Sequence, residues 1–308
     1  MLTGFEELRI RARSRGPLPV VLAAAQDEEA LRAVKAARDA GLAEPVLVGD
    51  ETLIRPLLSS VGLPADIRLI HEPEPAPAAL AAAKIVNGTE AGILMKGMVN
   101  SSDFLRAVLH PECGLRTDRL LCYLAAFEVP GDKKLVFHTD GGMNVAPTLA
   151  EKKDIVRSSL RALADLGIDC PKVAVLAANE VVSPKMPATV DAQALMEMNR
   201  RGELGPAIVE GPMAMDVALS REAAAHKGIK SRIAGDVDLF VVPGIEAGNI
   251  LGKALIHCAG AQSAGVILGA TRPVVMVSRA DSAAAKLNSI ALACCLAVGS
   301  DSPGQTFL

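Results

Sequence analysis

Short apolar stretches alternate along the chain with longer segments whose apolar residues recur every three or four positions. This alternation predicts an α/β fold, because parallel strands buried on both faces are continuously apolar and the covering helices are amphipathic. The predicted strands are Pro19–Ala25, Pro45–Gly49, Ile67–His71, Ala91–Gly97, Leu135–Thr139, Lys172–Ala178, Ala207–Gly211, Asp238–Pro243, Gly265–Gly269 and Val274–Ser278. The predicted helices are Asp27–Ala40, Pro77–Val86, Leu149–Leu166, Val190–Arg201, Met213–His226, Glu246–Cys258 and Ser282–Ala297.

One stretch in the middle of the chain departs from this alternation. Arg119–Val129 leads into Pro130-Gly131-Asp132, and Lys133–Thr139 follows directly. Two strand-like segments around a tight turn predict an antiparallel hairpin. Such a hairpin often lies at a sheet edge or a domain junction, so we place the first domain boundary near Asp140.

The composition restricts the core and the partners. Half of the residues are hydrophobic, but only seven of 308 are aromatic, so Ala, Val, Leu, Ile and Met must build the core. The net charge is −3, from 32 basic and 35 acidic residues. Without a basic surface or aromatic rings on which bases could stack, nucleic acid is not expected as a partner.

Cysteine spacing and hydropathy argue against zinc-binding, secreted and membrane proteins. The six cysteines form no CxxC pair and have no histidine at zinc-site intervals, so we expect buried free thiols and no metal. The first sixteen residues lack the apolar core of a signal peptide, and no long uncharged apolar run follows. We therefore expect a cytoplasmic protein with no membrane partner.

Ligands of open α/β sheets bind beyond the carboxyl ends of the strands, where helix N-termini present free amides. We call the segment that follows the carboxyl end of a strand its exit. The first informative exit contains Lys96, Ser101, Ser102 and Arg106. These side chains could bind a phosphate or another acidic ligand. Alternatively, the two hydroxyls and Asp103 only cap the helix, and both cations are solvated.

Three further exits have a strand, a glycine turn and a helix. At the first, residues 138–148, backbone amides could approach an anion closely, although paired glycines are also ordinary turn residues. The second, residues 209–216, has the same design. At the third, an acidic residue could simply favour the first turn of a helix. The candidate residues of the first and third exits are Asp140, Gly141, Gly142, Asn144, Glu246 and Asn249.

The last exit places a hydroxyl, a guanidinium and a carboxylate together as Ser278, Arg279 and Asp281. An arginine there could bind phosphate with two parallel hydrogen bonds, which a lysine cannot do. The alternative is a helix cap at Asp281 or Ser282 beside an exposed arginine. Five such exits in one chain favour a polar cleft.

Several other chemistries lack their sequence fingerprints. GxGxxG, GxxxxGK[ST], GxSxG and HExxH are all absent, which excludes the usual dinucleotide, P-loop, serine-hydrolase and zinc-protease motifs. The five histidines are scattered, and core or surface roles are expected for them.

Five segments at these exits resemble the phosphate acetyl/butyryltransferase family, most of all its butyryltransferase branch. The resemblance extends over about residues 18 to 300, and the combination is more specific than any one segment. The segments are KGMVNSSDFLRAVL (96–109), TDGGMNVAPTLAEK (139–152), VEGPMAMDVALS (209–220), DLFVVPGIEAGNILGKAL (238–255) and VSRADSAAAKLNSIALA (277–293).

The resemblance implies reversible transfer of a short acyl group between coenzyme A and inorganic phosphate, giving acyl phosphate. Coenzyme A is then a substrate, and neither a metal nor a tightly bound cofactor is needed. The resemblance also implies two α/β domains with mainly parallel sheets and an interdomain cleft, like isocitrate and isopropylmalate dehydrogenases, and a homodimer. The domain limits become 1–140 with 265–308, and 141–264.

The resemblance also implies roles for individual residues. Ser278 is associated with the reacting acyl group, Arg279 with phosphate or coenzyme A, and Arg106 with the cleft. The better-known acetyltransferase branch has an aspartate seven residues after this serine, proposed as the base, where Ala285 stands here. The candidate bases are Asp281, Asp140 and Glu246.

The sequence leaves open two alternatives to the acyl transfer that the resemblance implies. One is a related enzyme of the same fold, such as an acyl-phosphate synthase or an oxidative decarboxylase. The other is a non-catalytic module that binds acyl-CoA or works beside a hydratase-like protein, which the loss of the aspartate at Ala285 favours slightly.

Overall fold

The computed structural model describes residues 2–278 and 281–297. The chain forms two compact units. Among the described residues, the terminal unit contains Phe5–Arg119 with residues 263–278 and 281–297, and the central unit contains Leu120–Gln262 with residues 2–4. The division into domains at residues 140 and 265 stays a prediction.

Every predicted strand, including both strands of the hairpin, is present within a few residues of its predicted limits. The strands are β1 (Leu18–Ala23), β2 (Ala43–Gly49), β3 (Leu69–His71), β4 (Ile93–Lys96), β5 (Cys122–Glu128), β6 (Val136–Thr139), β7 (Lys172–Leu176), β8 (Ile208–Met213), β9 (Leu239–Val241), β10 (Gln262–Leu268) and β11 (Val274–Val275). The helices are α1 (Phe5–Ser14), α2 (Glu28–Asp39), α3 (Glu51–Val61), α4 (Pro75–Asn87), α5 (Ser101–Val108), α6 (Leu149–Asp165), α7 (Pro187–Arg200), α8 (Met215–Leu219), α9 (Arg221–His226), α10 (Ile245–His257) and α11 (Ala283–Leu296).

The strands of the terminal unit lie in the order β3-β2-β1-β4-β11-β10. All neighbours pair in parallel except β10 and β11, which are antiparallel. The chain runs outward from β1 to β3 and then returns to the other side of β1 with β4. This reversal creates a topological switch point between β1 and β4, where ligands of open α/β sheets bind.

The strands of the central unit lie in the order β5-β6-β9-β7-β8. The predicted hairpin is confirmed by the antiparallel pairing of β5 with β6, in which Ala126 lies opposite Phe137. The remaining neighbours are parallel. Both units are therefore mainly parallel α/β sheets, and the predicted fold class is confirmed.

The core is aliphatic, as the composition predicts. The five Phe residues in the described ranges, residues 5, 104, 127, 137 and 240, are all buried, and Ala, Val, Leu and Ile fill the remaining space. All six cysteines are free. Cys170 and Cys258 are exposed, which corrects the expectation that every thiol is buried. Burial raises the pKa of the Cys294 thiol to about 12, so this thiol is unreactive.

Some helices differ from the sequence prediction. The segment 213–226 is two helices, because Ser220 has an extended backbone and its hydroxyl accepts a hydrogen bond from the Ala223 amide at the start of α9. Helices α1 and α3 were not among the predicted helices. A proline at position 56 inside α3 hides its helical pattern.

An ion-pair network joins the amino ends of three strands in the central unit. Lys134 Nζ lies 2.8 Å from Asp236 Oδ1, and Lys172 Nζ also pairs with Asp236. The Lys172 amide donates to Asp238 Oδ2 at 2.8 Å. Hydrogen bonds from Lys134 and then Lys172 lower the pKa of Asp236 to about 2, from an ordinary value of 3.8.

Asp236→Asn should make the unfolding free energy less dependent on acid pH. Since the folded-state pKa lies below the unfolded one, the carboxylate stabilises the fold above about pH 4, and this contribution is lost as the pH falls toward 2. The Asp236 side chain is 28% exposed, so we expect a contribution of only about 1 kcal/mol. Urea unfolding at a series of pH values across this acid range measures the contribution of the Asp236 carboxylate. Asp39→Asn, at an exposed carboxylate beside Lys35, should keep the full acid dependence. Equal curves for Asp236→Asn and the unmodified protein would contradict the assignment.

Candidate active site

Three strand exits of the terminal unit lie at one edge of its sheet. Ala23 of β1 pairs with Lys96 of β4, and Val275 of β11 pairs with Met95. Because these strands are parallel, the segments that follow them emerge side by side. Lys96 and Ser278 are therefore brought to the same edge, at the switch point.

Lys96 ends β4 as a buried residue, with 7% of its surface exposed. Its Nζ lies 3.4 Å from the carbonyl oxygen of Gly97. The sequence left open whether this lysine is solvated, and the structure shows that it is not. A buried ammonium acts on a nearby anion with little screening by solvent.

Asn100, rather than Ser101 or Ser102, caps helix α5. Its Oδ1 accepts hydrogen bonds from the Asp103 amide and from Ser102 Oγ, both at 2.8 Å. Asn100 has an extended backbone, whereas Ser101 already lies within the helix, and this corrects the predicted cap. The hydroxyls of Ser101 and Ser102 are exposed in the first turn.

Arg106 lies on the same helix with 72% of its side chain exposed, and it pairs with Asp103. An exposed pair between residues three apart on a helix contributes only about 0.5 kcal/mol. A ligand could therefore replace Asp103 as the partner of Arg106 at little cost.

Asp281 closes a turn at the exit of β11. Its Oδ2 accepts a hydrogen bond from the Ser278 amide at 2.9 Å, and its own amide donates to the Ser278 carbonyl at 3.1 Å. Ser282, rather than Asp281, caps α11 by accepting from the Ala285 amide at 3.2 Å. Ser278 itself is exposed, and Arg279 lies outside the described residues.

The exit of β1 also belongs to this edge, although sequence reasoning passed over it. Ala24 has a positive φ of 52°, which is rare for a residue other than glycine. Its carbonyl accepts from the Met98 amide at 2.7 Å, and the Ala23 carbonyl accepts from the Gly97 amide at 2.9 Å. The run AAAQD at 23–27 carries no polar pattern, so only the strand order reveals this exit.

In the central unit, Asp140 organises the loop that follows β6. Its buried carboxylate accepts hydrogen bonds from the amides of Gly142, Met143 and Asn144 at 2.9, 2.9 and 3.3 Å, and from Asn144 Nδ2 at 2.6 Å. The sequence suggested that these amides could bind an anion. In the structure, three amides of this loop donate to the Asp140 carboxylate.

The loop after β6 packs closely against the start of α10. A Cβ added at Gly248 would lie 2.5 Å from Gly141 Cα, so two glycines allow the contact. The Ile245 amide also donates to the Val145 carbonyl at 3.1 Å. Glu246 and Asn249 are exposed on the first turns of α10.

His138 lies beneath this loop as a core residue. Its ring stacks on Phe127 with the ring centroids 5.0 Å apart. Burial lowers its pKa to about 4, so the imidazole is neutral near pH 7. A core role is one of the two, core or surface, that the sequence predicted for the histidines.

The structure thus forms two groups of predicted site residues, each within one unit. Among residues 2–278 and 281–297, no cluster of three or more His, Cys, Asp or Glu side chains could bind a metal ion. None of the helices in the described part of the chain is both long and apolar enough to span a membrane. The terminal group is Lys96, Ser101, Ser102, Arg106, Ser278 and Asp281, and the central group is Asp140, Gly141, Gly142, Asn144, Glu246 and Asn249.

Comparison with known proteins identifies relatives over nearly the whole chain. A family profile described as phosphate acetyl/butaryl transferase matches residues 64–294. The phosphate butyryltransferase of Clostridium acetobutylicum is 42% identical over 298 residues, which cover 96% of this chain and 99% of that protein. The phosphate acetyltransferase of Thermotoga maritima is 40% identical over 288 residues, which cover 94% of this chain and 98% of that protein.

Solved structures agree with these relatives. A branched-chain phosphotransacylase from Enterococcus faecalis V583 superposes with a TM-score of 0.80 at 32% identity, covering 92% of this chain and 99% of that one. A 4-hydroxythreonine-4-phosphate dehydrogenase from Klebsiella pneumoniae, at 15% identity and a TM-score of 0.56, shares the fold alone.

Fold and relatives together define this protein as an enzyme of the acyltransferase class. The predicted enzyme class is thereby confirmed over the non-catalytic alternative. The chain belongs to the phosphate acetyl/butyryl transferase family, as its five motif segments predict.

Proposed function

We propose that this enzyme transfers a short acyl group reversibly between coenzyme A and inorganic phosphate, forming acyl phosphate. The family match over residues 64–294 supports this most directly, because that range contains both groups of predicted site residues. The names of the relatives at about 40% identity, phosphate butyryltransferase and phosphate acetyltransferase, support the same substrates.

In the direction that forms acyl-CoA, the thiol sulfur of coenzyme A attacks the carbonyl carbon of the acyl phosphate. The new C–S bond forms as the C–O bond to phosphate breaks, and phosphate leaves with the electron pair. The thiol proton passes to a carboxylate of the enzyme. Because both substrates are held together, the reaction becomes effectively intramolecular, which supplies much of the rate.

The terminal group of residues suits the phosphate side of this reaction. We assign Lys96, Arg106 and Arg279 to the charge of the departing phosphate, and Ser278 to the developing oxyanion. The burial of Lys96 supports its role, since solvent screens its charge little. The further substrate-binding residues that we propose are Ser101, Ser102, Asp140, Gly141, Gly142, Asn144, Glu246 and Asn249.

Asp281 is the carboxylate that we propose as the base. It lies in one turn with Ser278, whose amide hydrogen-bonds to its Oδ2. Asp140 is less suitable, because the loop amides occupy its carboxylate. Glu246 remains the alternative on the exposed start of α10.

Arg279→Ala should raise the KM for phosphate and lower kcat, together reducing kcat/KM about a hundredfold. The guanidinium can bind phosphate through two hydrogen bonds and offset its charge, and alanine can do neither. The measurement is thiol release from acetyl-CoA or butyryl-CoA in the presence of phosphate.

Arg116→Ala, at an exposed arginine of the terminal unit, is the control and should behave like the unmodified enzyme. If Arg279→Ala had unaltered kinetics, Arg279 would not belong to the site. If the unmodified enzyme released no thiol from any short acyl-CoA, the proposed reaction would be wrong.

Four further expectations from the sequence and the family resemblance stand beside this as proposals. They are a homodimer, a cytoplasmic location, the absence of a tightly bound cofactor, and domain limits at 1–140 with 265–308 and 141–264.

A further inference from the structure

Lys286 is a buried cation that has no role in the acyl transfer as proposed so far. It lies in the first turn of α11, with 2% of its surface exposed. Its Nζ donates a hydrogen bond to the main-chain carbonyl of Asp281. None of the lysine ion pairs within the described ranges includes Lys286.

Two other well-covered lysines of the chain have carboxylate partners. Lys152, which is 6% exposed, pairs with Asp191 at 2.7 Å, and Lys134 pairs with Asp236 at 2.8 Å. Lys286 therefore differs from them in its partner rather than in its burial.

An uncompensated buried ammonium is unfavourable. Removing an ammonium from water is costly, and a neutral carbonyl offsets only part of that cost. The first turn of a helix adds to the penalty, because the helix dipole favours anions at that end. The carbonyl of Asp281 also engages only one of the three N–H donors of the ammonium. No carboxylate of the described residues therefore neutralises the charge of Lys286.

Lys286 is tied directly to the turn that carries Ser278. Its ammonium contacts the Asp281 main chain, and Asp281 hydrogen-bonds to both the amide and the carbonyl of Ser278. The strand before this turn pairs with β4, which ends in Lys96. Two buried lysines thus belong to the carboxyl edge of β4 and β11.

We infer that Lys286 binds a phosphoryl group of a substrate and supplies the charge that neutralises it. This inference rests on the proposed function, because it takes its anion from the acyl-transfer reaction. The phosphoryl group is that of inorganic phosphate or acyl phosphate, or one of those in coenzyme A.

Kinetics of Lys286→Gln test the inference, because glutamine can keep the hydrogen bond to the Asp281 carbonyl but lacks the charge. We expect a rise of about tenfold or more in one KM. A rise in the KM for phosphate identifies phosphate as the source, and a rise in that for coenzyme A identifies coenzyme A. Lys286→Arg keeps the charge and should restore that KM to within about threefold. Unchanged KM values for both substrates in Lys286→Gln would overturn the inference.

Lys152→Gln is the matched control, because it removes the charge of a buried lysine that already has a partner. It should lower the Tm and leave both KM values unchanged. A KM increase in Lys152→Gln equal to that in Lys286→Gln would show a general effect of losing a buried lysine, and the inference would be wrong.

Thermal unfolding with and without inorganic phosphate or coenzyme A tests binding independently of catalysis. One of these ligands should raise the Tm of the unmodified protein, and Lys286→Gln should lose that rise. Without ligand, Lys286→Gln should be at least as stable as the unmodified protein, because an uncompensated charge is gone. A lower Tm with an unchanged ligand response would make Lys286 a purely structural residue. If the enzyme released no thiol but ligand still raised the Tm in a way that depended on Lys286, only the proposed reaction would be refuted.

Discussion

Gly97→Ala is expected to lower the free energy of unfolding by about 3 kcal/mol and kcat/KM by at least about a hundredfold. A Cβ at this position would lie 2.4 Å from the Ala24 carbonyl oxygen and 2.7 Å from that of Ala23. Both atoms are backbone at the switch point, so neither can rotate away. The exits of β1 and β4 would have to separate, which displaces Lys96.

Urea unfolding and steady-state kinetics measure the two effects of Gly97→Ala. Gly88→Ala is the matched control in the same unit, because its nearest atom to a new Cβ is the Ile85 carbonyl oxygen at 3.5 Å. The Gly88 backbone, with φ −75° and ψ 0°, suits alanine, so this variant should be neutral or slightly more stable. If the two variants were equally stable and active, the close contact at Gly97 would not be important.

Asp140→Ala is expected to destabilise the protein by about 3 kcal/mol. The substitution removes the acceptor of four hydrogen bonds and leaves the loop amides of Gly142 and Met143 without their partner. Asn144 loses two hydrogen bonds as well, although its Nδ2 still donates to the Leu121 carbonyl at 2.9 Å. We also expect reduced activity, because the loop carries predicted site residues.

Chemical unfolding measures the loss for Asp140→Ala, and Asp27→Ala provides the comparison. Asp27 caps α2 and accepts one backbone hydrogen bond, from Ala30 at 3.1 Å, so its removal should cost about 1 kcal/mol. A loss at Asp140 no greater than that at Asp27 would show that the four bonds do not act together.

Two site predictions illustrate where local sequence patterns mislead. The segment N-S-S-D at 100–103 contains four good capping residues, and only the observed backbone identifies Asn100 as the cap. The D-G-G segment at 140–142 indicates a turn with accessible amides, but whether they face a ligand or their own aspartate depends on how the loop folds back.

The sequence by itself determined the α/β class, every strand and the places where polar residues follow the strands. These features depend on which residues are apolar and on local turn and helix preferences, both of which are properties of short segments. The family motifs added the class of reaction, because their combination is specific.

Only the tertiary structure decided which exits lie together and which groups are already paired. Strand order places the exit of β1 beside that of β4, where Ala24 has its left-handed backbone and Gly97 makes its close contact. The burial of Lys96 and Lys286, and the carbonyl that Lys286 contacts, likewise depend on packing among distant segments. Such packing is decided by long-range contacts, and a local pattern of residues does not encode them.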